Sequence, residues 1–292
     1  MQISNVASGF IQLSNGQIYY STQGLGEEVI VWVHGLPLNS SSWHAQLCHF
    51  NQNFLNICLD LRGYGQSSAL PDTNSSITDL YCDDLLLLFD TLKLRQVTLV
   101  GFASAGHIAM RFAANNPNLI SKLVIINGSP KFLADKSWPY GFEEQDLKDA
   151  ISAIDAAKTT EDLAQLILDP ALGEACALQI RQIRAWFTGM LAQARKDTLK
   201  AFFSNIAYDD DRELIGNITA PTLIISSKLG KEVPSATALF IRNAIENSQL
   251  FEINGIDHFA FATQASLINA VIDQFMSPRC QCLLPNTTNK ES

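Results

Sequence analysis

Val97-Thr-Leu-Val-Gly-Phe-Ala-Ser-Ala-Gly106 decides how the rest of the chain is read. Residues 97–100, apolar but for Thr98, have the pattern of a strand covered on both faces of a parallel sheet. From Ala103 the residues turn small and then take up helical spacing to about Asn115. The stretch therefore predicts a strand, a sharp bend and a helix. Strand and helix can pass closely only if the residues two places either side of the bend are small. Gly101 and Ala105 flank Ala103 at that distance, and Gly106 follows. Centring the bend on Ser104 instead puts bulky Phe102 on one side, although Gly106 then suits the other.

Outward from this stretch, residues 29–33 form a continuous apolar run, and the mostly apolar segments 55–59, 123–126, 222–225 and 250–253 read with it as buried strands. Residues 10–13 and 17–22 predict a hairpin around Asn15-Gly16. Residues 76–92 and 267–275 carry helical spacing. Strands and helices alternate, which implies an α/β fold with a mostly parallel central sheet flanked by helices. Residues 131–205 break the alternation. They are helical and strand-poor, with a turn at Trp138-Pro-Tyr-Gly141, and read as an inserted cap. The expected organisation is a core of 1–130 and 206–276, a helical cap of 131–205 and a flexible tail of 277–292.

With 47% hydrophobic and 17% charged residues, the chain can bury a full core. Its formal charge of -9 argues against nucleic acid or an anionic membrane as partner, because both need basic patches. The first ten residues lack a basic region followed by an apolar run, so no signal peptide is expected and the cytoplasm is the expected location. Cysteines at 48, 58, 82, 176, 280 and 282 show no zinc spacing and read as reduced thiols. No metal cluster emerges from the five histidines, and no cofactor is expected. Oligomeric state is left open.

The chemistry belongs at the C-terminal ends of the parallel strands, where open α/β sheets place their sites. Four stretches stand there. Val33-His34-Gly35-Leu36-Pro37 has a glycine that lets the backbone turn and point N–H groups into a cleft. Asp60-Leu-Arg-Gly-Tyr-Gly-Gln-Ser67 suits a rigid loop stitched by Asp60 and Arg62. The third is the bend at Ala103, and the fourth is Gly255-Ile-Asp-His-Phe259.

In this order, with Pro221-Thr-Leu-Ile-Ile225 between the last two, the motifs resemble the α/β-hydrolase superfamily over about residues 10–276. The start of the cap, from Gly128-Ser-Pro-Lys-Phe132 to Trp138-Pro-Tyr-Gly141, is similar to that of esterases related to pimeloyl-ACP methyl ester esterase. The resemblance implies a Gly-x-Ser-x-Gly elbow carrying the nucleophile, and it puts Ala103 at that position. A methyl group cannot attack a carbonyl. It implies an aspartate after residue 225, where Gly230 stands instead; Glu232 falls two residues late and reads as solvated. Asn127, where some relatives draw the acid from the preceding strand, carries no charge. Asp257 reads as a loop stabiliser. His258 matches the catalytic histidine, and the backbone N–H groups of Leu36 and Ser104 match the oxyanion hole. Gly35, Phe102, Trp138, Tyr140, Trp186, Phe187 and Phe202 are the candidates to line a pocket.

The expectation is therefore a protein with substituted nucleophile and acid positions that binds a small apolar or acyl-type ligand. It either does not catalyse or uses His258 and the oxyanion hole in a non-hydrolytic reaction. The alternative is a serine carboxylic-ester hydrolase, with Ser104 as nucleophile or with alanine introduced in place of a serine at 103.

Overall fold

The hairpin turns one residue earlier than expected. β1 (Val6–Leu13) pairs antiparallel with β2 (Gly16–Gln23), and Leu13 lies opposite Gly16, so the turn is Ser14-Asn15. Gly16 takes φ 146°, a conformation L side chains rarely adopt. The structure, a computed structural model, describes residues 6–72, 76–172 and 177–277. Cys176, Cys280, Cys282 and all of the expected tail but Ser277 lie outside these; Cys48, Cys58 and Cys82 are free thiols.

The sheet has eight strands in the order β1-β2-β4-β3-β5-β6-β7-β8. β3 (Glu28–Val33) runs parallel to β4 (Phe54–Leu59) and to β5 (Val97–Phe102). Parallel pairing continues through β6 (Ile120–Ile126), β7 (Thr222–Ser227) and β8 (Ser248–Ile253). Only β2 against β1 and β4 is antiparallel. The centre of the sheet explains the largely apolar strands, because every residue of β5 is buried.

Helices flank the sheet. α1 (His44–Phe50) follows β3, α2 (Ile77–Thr91) lies between β4 and β5, and α3 (Ser104–Asn115) follows β5. α2 starts where Ser76 caps it, its Oγ accepting from Asp79 N–H at 3.2 Å, the kind of cap worth about 1 kcal/mol. Between β6 and β7 come α4 (Glu144–Ala156), α5 (Thr160–Ile167), α6 (Ala177–Leu191) and α7 (Lys196–Ser204). α8 (Ser235–Ala244), α9 (Ala260–Thr263) and α10 (Ala265–Met276) complete the fold. α2 packs on α3, and α1 on α10.

Two buried ion pairs fasten these elements. Arg62 Nε donates to Asp84 at 2.7 Å, and Asp60 accepts the backbone N–H groups of Ser40 and Gln66, each at 2.8 Å. Both residues thus stitch their loop, as read. Arg111 on α3 forks onto Asp211 at 2.8 and 2.9 Å. His107 on α3 is wholly buried, with Nδ1 3.0 Å from Ser129 O and Nε2 2.9 Å from Asp211. Among the described residues no helix is long and apolar enough to cross a membrane.

Candidate functional site

The bend after β5 is centred on Ala103. Its φ of 50° and ψ of −116° lie where non-glycine residues seldom sit, and strain of this kind persists only when the surroundings enforce it. Ala103 N–H donates to Ile126 O, and Gly106 N–H donates to Ala103 O, both at 2.9 Å. A Cβ at Gly101 would stand 2.4 Å from Ala105 O and 2.9 Å from Ala109 Cβ, so glycine is required there. Strand and helix meet as the spacing of small residues implied.

Ser104 is the first residue of α3, past the bend. Its hydroxyl accepts from Leu36 N–H at 3.2 Å, and no hydrogen bond joins it to His258 among the described residues. The Ser104 N–H belongs to the first turn of α3, whose donors have no partner within the helix. Gly35 is explained by close packing: a Cβ there would stand 2.5 Å from Phe102 O. His34 is structural, its Nε2 accepting from Leu61 N–H at 3.0 Å.

His258 lies on the loop between β8 and α9. Its backbone is held on two sides: its N–H donates to Ala171 O at 3.1 Å, and its carbonyl accepts from Asn127 Nδ2 at 2.8 Å. Asn127, at the end of β6 with φ 48°, also accepts Ser227 N–H at 2.8 Å, so it ties the histidine loop to β7. The His258 ring packs on Phe102 with centroids 4.9 Å apart. Burial pushes its pKa down to about 4, so the ring is neutral near pH 7. No side-chain hydrogen bond orients the ring among the described residues. Asp257 accepts from the Thr263 hydroxyl and from Gln264 Nε2, and so serves its own loop.

Gly230 sits in the turn after β7, its N–H donating to Ser227 O at 3.1 Å, and has no side chain to offer. Glu232 corrects the sequence reading. It is not solvated but half-buried in a cavity wall, with Oε2 enclosed and unpartnered, and burial raises its pKa. Spacing from β7 placed it on a loop but could not show which way the loop folds.

The cavity holds about 420 Å³. Leu36, Ala103, Ser104 and His258 form its inner end. Phe142, Ala150, Leu166 and Phe202, from α4, α5, α7 and the chain before them, face that end. Of the aromatic candidates only Phe202 lines it. Trp138 is buried elsewhere, its Nε1 donating to Lys131 O at 3.0 Å. Phe187 is fully buried against Phe259, while Tyr140 and Trp186 are partly exposed away from the cavity. Gly35 and Phe102 lie behind the lining, packed against each other. Phe132, Phe142, Phe203 and Phe259 were missed, although an unbroken Phe202-Phe203 pair at the end of α7 was a visible signal.

The α/β-hydrolase-fold family matches residues 28–265. The AB hydrolase superfamily protein YisY of Bacillus subtilis is 29% identical over 253 residues, covering 84% of this chain and 90% of that protein. A strigolactone esterase of Arabidopsis thaliana is also 29% identical, over 75% of this chain and 81% of its own. Among solved structures, an esterase from Exiguobacterium antarcticum superposes with a TM-score of 0.82 at 23% identity, covering 91% of this chain and 98% of its own. With a parallel sheet, a strained strand-to-helix bend and a family match that spans most of its length, this chain belongs to the α/β-hydrolase-fold family.

Proposed function

We propose that the chain binds a small, largely apolar acyl-type ligand in this cavity and does not hydrolyse it through a serine acyl-enzyme. The observation that carries the reading is the residue at the apex of the bend. Ala103 holds the family's nucleophile position, and its methyl group has no lone pair to attack a carbonyl. Gly230 stands at the acid position, so nothing charged fixes the tautomer of His258. The groups left at the inner end of the cavity are the Ser104 N–H, the Ser104 hydroxyl, onto which the Leu36 N–H donates, and a neutral imidazole. They can hold a carbonyl oxygen and, at most, move a proton. A pKa near 4 makes His258 a weak base, which favours binding over proton abstraction.

Esterases stand among the chain's relatives, and they supply the analogy for a carbonyl ligand. The alternative, Ser104 as nucleophile, is opposed by its place one residue beyond the bend and by its bond to Leu36. The test is turnover of p-nitrophenyl butyrate by the unmodified chain and by Ser104→Ala. Both are expected to match the buffer rate. Turnover by the unmodified chain that Ser104→Ala abolishes would overturn the proposal.

A further inference from the structure

The charges around the cavity restrict its ligand further, if the cavity is a small-molecule site as proposed above. Among the described residues that line it, none is lysine or arginine. The ionisable side chains there are Asp146, Glu232 and His258, and burial keeps His258 neutral near pH 7. The cations nearest in sequence to lining residues are occupied or lie outside. Lys131, beside Phe132, pairs through Nζ with Asp135 and Asp210. Lys231, beside Glu232, is exposed and absent from the lining. Asp146 is exposed and accepts from Glu143 N–H at 3.2 Å, at the start of α4. Glu232 is the acidic group set into the wall itself.

We infer that this cavity selects neutral or amine-bearing apolar ligands and rejects carboxylates, with Glu232 as the residue that sets the preference. A carboxylate entering it would lose its water without meeting a counterion, and burying an unpaired charge is costly. It would also approach a second carboxylate. An amine or hydroxyl on the same apolar body meets an acceptor instead.

The experiment uses the full chain and N-phenyl-1-naphthylamine, an uncharged probe that fluoresces in apolar sites. Displacement is measured with 4-phenylbutylamine, 4-phenylbutan-1-ol and 4-phenylbutanoate at pH 7.5. In the unmodified protein the carboxylate is expected to compete at least about tenfold more weakly than the alcohol and the amine. In Glu232→Gln, and in Glu232→Ala as a second variant, the carboxylate-to-amine gap is expected to shrink to about threefold or less. Equal competition by carboxylate and alcohol in the unmodified protein would overturn the inference without needing any variant. A gap that persists in both folded variants would overturn the role of Glu232. Failure of the uncharged probe to bind at all would instead strike the ligand-binding proposal on which this inference rests.

Discussion

The two ends of the cavity were read from the sequence with unequal success, and the difference is one of locality. The inner end is built by short segments at the ends of β3, β5 and β8. There Gly35, Gly101 and Ala103 answer to atoms within a few residues or on an adjacent strand. The facing wall comes from α4, α5 and α7, whose apolar residues must choose between packing on one another and facing the ligand. Local steric demands fix the first end. Tertiary packing fixes the second, so the same aromatic count supports either a lining or a core role.

The sharpest way to break this pairing of two ends is at their joint. Asp211, on the chain returning from the helical insertion, receives Arg111 and lies beside His107, both on α3. Asp211→Ala would remove two charge-assisted hydrogen bonds from Arg111, which keeps Asp79 at 2.8 Å, and is expected to cost about 2–3 kcal/mol in denaturant unfolding. An unchanged midpoint would show that the two regions hold together without this pair.

A smaller effect sharpens the account of the inner end. His258 has a folded pKa of about 4, below the ordinary histidine value of 6.5. Folding therefore favours the neutral ring. The unfolded chain binds this proton first as the pH falls, so the contribution is intact above 6.5 and is lost as the pH drops towards 4. From pH 7.5 to 5 the protein is expected to lose on the order of 2 kcal/mol that His258→Gln retains. Imidazole NMR shifts for this ring should stay at the neutral position at pH 5; a midpoint near 6.5 would contradict its burial.

Much of the fold was legible because buried parallel strands leave apolar runs whose type survives any error in their ends. The hairpin slipped by one residue because Gly16 pairs with Leu13 as part of the strand and does not occupy the turn. The short α8 carries no long periodic face, and nothing in the sequence marks it. At the site, Ala103, Ser104 and His258 came together in one cavity, and Asp60, Arg62 and Asp257 proved to serve their loops. Glu232 was misjudged because two residues of loop suffice to turn a side chain from solvent into a wall. Trp138 and Tyr140, in the turn before α4, and Trp186 and Phe187, on α6, stay out of the lining because size alone does not say which way a side chain faces.

Whether any hydroxyl in the cavity can act as a nucleophile is tested most directly by intact-mass measurement after exposure to an alkyl fluorophosphonate. A nucleophilic serine oxygen would bond to phosphorus, release fluoride and add the phosphonyl mass to the protein. With a methyl group at the apex and the Ser104 oxygen held by Leu36, the mass is expected to stay unchanged. A stoichiometric adduct mapped to Ser104 would contradict the account.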